Sequence, residues 1–136
     1  MISLVIVSHS RDIATGVKQL ANEMTQTPVS IAAVGGIIDE RGDYQIGTDA
    51  LRIVDAIQHH WSPDGVLLLV DLGSAVMSAE TAIEFLPDDM QESCLISNAP
   101  LVEGAVIAAL EASLHHSLSQ VNDAAEAVRS LEKVTR

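Results

Sequence analysis

Gly65-Val66-Leu67-Leu68-Leu69-Val70-Asp71-Leu72-Gly73-Ser74-Ala75 passes from an unbroken aliphatic run into a short polar turn. An apolar run of this length without alternation suits a strand buried on both faces, which means a parallel sheet. Just beyond the turn the spacing becomes helical, with Val76, Ala79, Ala82, Ile83 and Leu86 on one stripe. That spacing buries one face of a helix against the sheet. A buried strand leading straight into an amphipathic helix is the repeating unit of an α/β fold.

The same alternation extends in both directions. Ile2–Ser8 and Val29–Val34 are aliphatic runs, the latter ending at Gly35-Gly36, and Glu92–Ser97 is a weaker one centred on Cys94-Leu95-Ile96. Between and after them lie helical stripes. These are Ile13, Val17, Leu20, Ala21 and Met24; Ala50, Ile53, Val54, Ile57 and Trp61; Val102, Ala105, Val106, Ala109 and Leu110; and Leu118, Val121, Ala125 and Val128. Thr27-Pro28, Ser62-Pro63-Asp64-Gly65 and Pro87-Asp88-Asp89 break helices before strands, and Pro100 suits the first turn of a helix. The order βαβαβαβα with a final helix predicts one α/β domain over residues 1–136, its C-terminal helix at about 117–133. Asp39–Gln45 is polar and irregular and is expected to be a surface loop.

Composition narrows the function classes. Apolar residues are 48% of the chain but aromatic residues only 2%, so the core must be aliphatic. A formal net charge of -12, with no Lys/Arg cluster, argues against nucleic acid and anionic membrane as partners. Cys94 is the only cysteine, so no internal disulfide forms, which suits a reducing compartment. No apolar run reaches membrane-spanning length. The N-terminus lacks a basic segment and a small-residue cleavage site, so no signal peptide is expected. The expectation is a cytoplasmic protein with no membrane insertion.

In open α/β sheets, ligands sit outside the carboxyl ends of the strands, where the strand order reverses. The first strand leads into Ser8-His9-Ser10-Arg11-Asp12 and the third into Asp71-Leu72-Gly73-Ser74-Ala75. If the sheet order is 2-1-3-4, His9 and Asp71 face each other. A carboxylate that accepts the N–H of one imidazole nitrogen fixes the tautomer and leaves the other free to attack. Asp71 is expected to accept from Nδ1 and Nε2 to be the nucleophile. His9 and Gly73-Ser74 precede helices, whose N-termini favour anions. Gly73 permits close backbone approach, Ser10 and Ser74 offer hydroxyls, and Gly35-Gly36 opens toward the same end. With no Lys-bearing phosphate loop and no GxGxxG, the site suits a phosphoryl group delivered on a protein. No tightly bound cofactor is expected, the phosphohistidine being the covalent intermediate.

Five segments, in this order, carry a resemblance: Val7-Ser8-His9-Ser10, Gly35-Gly36, Ile46-Gly47-Thr48-Asp49, Asp71-Leu72-Gly73-Ser74-Ala75 and Ala99-Pro100-Leu101-Val102-Glu103-Gly104-Ala105. Together they resemble the phosphotransferase-subunit family of phosphoenolpyruvate-dependent dihydroxyacetone kinases, whose first domain is similar to the IIA domains of mannose-type sugar phosphotransferase systems. The resemblance covers roughly residues 1–112. It implies a three-layer sandwich with a four-stranded parallel sheet in order 2-1-3-4, often a homodimer, and it adds Thr48 to the phosphate-binding support. It also implies that the histidine-containing phosphocarrier protein phosphorylates His9. The group then passes to ADP held on one kinase subunit, while another binds dihydroxyacetone. The charged stretch Ile37–Gln45 departs from the compact Gly-rich turn usual in the family. Some members carry further carrier domains, and a stand-alone subunit is expected to draw on the cell's general phosphocarrier.

Two other readings of the same chemistry stay open: the IIA component of a mannose-type sugar system, and a regulatory module whose docking depends on phosphorylation. The pairs His59-His60 and His115-His116 sit at adjacent helical positions that point apart, so no metal site is expected. Cys94 is expected to be a small buried hydrophobe, and Trp61 to pack. Glu103-Gly104 shapes a helix, and Asp123, Glu126 and Glu132 form a solvated face.

Overall fold

The computed structural model describes residues 1–136. Strands β1 (Ser3–Ser8), β2 (Ile31–Gly35), β5 (Val66–Val70) and β6 (Cys94–Ile96) form one sheet in the order β2-β1-β5-β6, every pair parallel. Counted over these four strands alone, the order is the expected 2-1-3-4. Side chains alternate across the pleat. Leu4, Ile6, Leu67 and Leu69 enter one core, and Val5, Val7, Leu68 and Val70 the other. Helices α1 (Arg11–Glu23), α5 (Leu101–Ser113) and α6 (Leu118–Ala127) close the first core, and α2 (Ala50–His59) and α3 (Gly73–Glu84) the second. The result is a three-layer sandwich in which β1 and β5 are buried on both faces, while Leu95 on the edge strand β6 stays exposed.

Four expectations are corrected. The stretch expected as a loop is a hairpin: β3 (Ile37–Ile38) pairs antiparallel with β4 (Tyr44–Gln45). Asp39 organises its turn, one carboxylate oxygen accepting from the N–H groups of Arg41 and Asp43, each at 2.9 Å, and the other from Gln45 Nε2 at 3.0 Å. Both arms are exposed, so the hairpin carries no burial pattern, and an Asx turn does the work of apolar alternation. The C-terminal helix, expected at about 117–133, ends at Ala127. A 3-10 turn covers Val128–Ser130, and no regular structure follows. A capping box joining Ser117 and Gln120 starts it. Val121 and Ala125 are its buried anchors, and residues 129–136 are all exposed. Beyond the last anchor no buried side chain rewards another helical turn.

The third correction concerns which helix faces are buried. On α1 the buried face is Ala14, Val17 and Ala21, whereas Ile13, Leu20 and Met24 are about half exposed. On α5 it is Gly104, Ala105, Ala108, Ala109 and Ala112, with Val102 exposed. These helices pack through their small residues, which lets backbones approach, so the bulkier neighbours flank the contact. A short helix, α4 (Asp88–Gln91), also occupies the turn expected at Pro87-Asp88-Asp89.

Two glycines should respond oppositely to alanine. A Cβ on Gly104 would lie 2.6 Å from Ala99 Cβ, which the backbone holds in place. On Gly16, on the exposed face of α1, it would meet nothing within 4 Å. Urea unfolding should show Gly104→Ala destabilised, because overpacking costs about 1–3 kcal/mol against a helix-propensity gain of about 1 kcal/mol. Gly16→Ala should be stabilised by about 0.4–1 kcal/mol.

Candidate functional site

The parallel register places the site. Val7 of β1 stands opposite Val70 of β5, and Ser8 opposite Gly35 of β2. The residues one step further, His9, Asp71 and Gly36, therefore emerge together at the carboxyl edge of the sheet. His9 lies in the turn before α1, which Ser10 caps by accepting the Ile13 N–H at 3.3 Å.

Asp71 binds this edge together. One carboxylate oxygen faces His9 Nδ1 at 2.9 Å and accepts the Leu72 N–H at 2.7 Å. The other accepts the His9 backbone N–H at 2.9 Å and the Ser8 hydroxyl at 2.8 Å. Burial alone would raise its pKa. The hydrogen bonds from the His9 N–H, the Ser8 hydroxyl, the His9 ring and the Leu72 N–H outweigh that and hold the carboxyl below the usual range. A carboxylate only accepts, so its partner Nδ1 carries a proton, and in the neutral ring the lone pair is then on Nε2. The two side chains are 14% and 18% exposed, which keeps the pair largely sheltered yet open at one rim.

Nε2 points to the start of α3, where it pairs with the Ser74 hydroxyl. Leu72 at the N-cap supplies no side-chain acceptor, so this helix start keeps donors for an anion. Gly73 opens the helix beside it, with nothing near the position a Cβ would take. Three of the sequence-predicted residues lie elsewhere in the hydrogen bonding. Ser10 accepts at the α1 cap. The Thr48 hydroxyl pairs with Ser78 Oγ at 2.6 Å, linking the approach to α2 with α3. Gly36, with φ 74, turns the chain into the hairpin, where a Cβ would approach the Gln45 carbonyl at 3.0 Å.

Sequence reasoning missed Ser8 and Gly47 and gave Gly35 no packing role. Ser8 is fully buried, donates to Asp71 and accepts the Ser10 N–H at 3.1 Å. Gly47 donates its N–H to the His9 carbonyl at 2.9 Å. Gly35 is an abutment, since a Cβ there would lie 2.5 Å from the Ser10 carbonyl oxygen. A serine ending an aliphatic strand was a weak signal for the first, and the other two act through backbone. Away from the site, His59 Nδ1 donates to the Asp55 carbonyl, His60 pairs with Ser30, and His116 pairs with Glu111. Cys94 is partly buried, and burial pushes its thiol up to about 11, far from a neutral-pH nucleophile. Trp61 is partly buried against the second core. No helix is long and apolar enough to cross a membrane.

Asp71→Asn tests the carboxylate. Because its folded pKa is depressed, the ionised group stabilises the fold above the usual carboxylate range. That contribution fades as pH falls through the folded value. Urea titrations should find the variant less stable at neutral pH by about 1–3 kcal/mol, the worth of hydrogen bonds to a charged group. The gap should close on acidification. A gap independent of pH would mean the charge is not what matters.

Residues 3–122 match the family model described as the PTS system fructose IIA component. The chain is 41% identical over 117 residues to PEP-dependent dihydroxyacetone kinase 2, phosphoryl donor subunit DhaM, of Listeria innocua, covering 86% of this chain and 90% of that protein. It is 38% identical over 135 residues to PEP-dependent dihydroxyacetone kinase, phosphoryl donor subunit DhaM, of Providencia stuartii. That match takes in 98% of this chain but spans only 28% of the longer relative. Among solved structures, the unknown function protein EF1359 superposes with a TM-score of 0.79 at 34% identity, over 93% of each chain.

Proposed function

The chain belongs to the PTS IIA-component family, with the phosphoryl donor subunits of PEP-dependent dihydroxyacetone kinase as its relatives, and from that premise we propose that it carries a phosphoryl group on His9. The donor is the histidine-containing phosphocarrier protein. The acceptor is ADP held by the nucleotide-binding kinase subunit, and dihydroxyacetone, bound on another subunit, is the final recipient.

The observation that carries this reading is the His9–Asp71 pair at the carboxyl edge of the sheet, with Nδ1 on the carboxylate and Nε2 facing the start of α3. In the loading step the Nε2 lone pair forms the N–P bond as the donor's N–P bond breaks, and the electron pair of that bond stays with the donor ring. Positive charge develops on the His9 ring, and the Asp71 anion stabilises it at no cost of reorganisation. The Ser74 hydroxyl, released from Nε2, turns to a phosphoryl oxygen. The first N–H groups of α3 meet the same charge. In the unloading step a terminal oxygen of ADP attacks phosphorus, and the electron pair returns to Nε2. Nδ1 keeps its proton throughout, so the site needs no separate acid or base.

Incubation with phosphoenolpyruvate and the general carrier proteins should place an acid-labile, base-stable phosphate on His9. His9→Ala should take up none. Asp71→Asn should load at a rate reduced by about 10–100-fold, the loss expected for hydrogen bonds to a charged group. Phosphate on the alanine variant would overturn the assignment.

The family description, which names a sugar-system component, favours one second reading: a IIA protein whose acceptor is a IIB protein. Offering the loaded protein both acceptors separates the two. Discharge to the ADP-loaded kinase subunit is expected, and discharge to IIB alone would reverse the order.

A further inference from the structure

Two guanidinium groups beside the site have no carboxylate partner, in a chain whose formal net charge is -12. The ion pairs of the molecule involve the N-terminus, His9, His116 and Lys133. Arg11 and Arg52 instead converge on the ring of Tyr44 in the hairpin, their Cζ atoms 4.3 and 5.4 Å from its centroid. Arg52 is anchored, Nη1 donating to the carbonyls of Gly36 at 2.9 Å and Gly35 at 3.3 Å. Arg11 has only the ring. It is exposed, two residues from His9, and stands at the first position of α1, where the helix dipole disfavours a cation. An exposed stacking contact of this kind is weak. The arginine nearest the nucleophile in the chain is thus held loosely, unpaired and in an unfavourable field.

We propose that Arg11 leaves Tyr44 during unloading and binds the phosphates of a nucleoside diphosphate presented by the acceptor, as a catalytic residue supplied in trans. This rests on the reading of His9 as a carrier to ADP. A planar guanidinium matches phosphate oxygens with paired hydrogen bonds, and arginines supplied across an interface stabilise phosphoryl-transfer transition states. Arg52 and Tyr44 are positioning residues: Arg52 pins the root of the hairpin, and Tyr44 parks Arg11 between transfers. The groove between hairpin and α1, about 470 Å³, is also lined by Asp12 and Asp43. Those carboxylates offset the guanidinium, so free ADP should bind the isolated chain only weakly. The transfer balances as before: the P–Nε2 bond breaks, a bond from phosphorus to the terminal diphosphate oxygen forms, and no proton moves.

The test follows single-turnover discharge of His9-phosphorylated protein to the acceptor subunit loaded with ADP. Alongside it, affinity for the nucleotide-free acceptor and the rate of loading by the phosphocarrier are measured. Arg11→Gln should discharge about 10–100-fold more slowly, the worth of a hydrogen bond between charged groups. Loading and nucleotide-free affinity should stay at wild-type values. Arg11→Lys should recover part of the loss. Arg41→Gln, an equal charge change at the hairpin turn, should discharge like wild type. Undiminished discharge by Arg11→Gln, with the wild type active, overturns this inference alone. So does an equal loss of nucleotide-free affinity, which would assign Arg11 to a protein contact. A wild type that loads but never discharges to ADP would remove the functional reading as well.

Discussion

The Asp71 carboxylate is the tie on which the site depends. Its four hydrogen bonds run to Ser8, to the backbone and ring of His9, and to Leu72. They join the turn leaving β1 to the turn leaving β5. An ionised group in this position is sustained only because each lone pair finds a donor, and an incompletely satisfied carboxylate there would be expensive. The same saturation leaves the imidazole no choice of tautomer. One group therefore sets the geometry of the turn and the electronic state of the nitrogen proposed to carry phosphate.

Strand register delivers that tie. Parallel pairing aligns the carboxyl ends of β2, β1 and β5, so residues far apart in the chain arrive within hydrogen-bond reach. The two aliphatic cores hold the strands from both sides. Close-packed α5, running over Ala99 by virtue of Gly104, secures the far side of the sheet. The motif around Gly104, distant from His9 in sequence, thereby serves the spacing of the layers. Helix α1 meets the edge of β2 in the same manner, with Gly35 leaving room for the Ser10 carbonyl.

The parallel sheet was legible in continuous aliphatic runs and the loops of His9 and Asp71 in where such sheets place their ligands, whereas the strand order that makes the two meet came from the family resemblance. What was not legible follows from backbone and from residue size. The Ile37–Ile38 and Tyr44–Gln45 hairpin is exposed on both arms and held by Asp39, so hydrophobic period carries no trace of it. On α1, Ile13, Leu20 and Met24 satisfy a helical stripe as well as Ala14, Val17 and Ala21 do. Only the tight spacing between helix and sheet selects the small residues. Gly47 and Gly35 act through an N–H and through the absence of a Cβ, which no side-chain pattern announces. The Thr48 and Ser10 hydroxyls also hold helices, a second engagement that no spacing in the sequence announces.

The clamp on the His9 backbone has a further meaning. Its N–H is held by Asp71, its carbonyl by Gly47, and the following residue abuts Gly35. The peptide cannot swing out to meet a visitor, unlike carriers that bear their cargo on a flexible arm. On the proposed reading, donor and acceptor must each come to the same small stationary platform, and they exclude one another there. Traffic through such a relay is then governed by how quickly one guest departs and the next seats itself, and a mobile linker would be of no help to it.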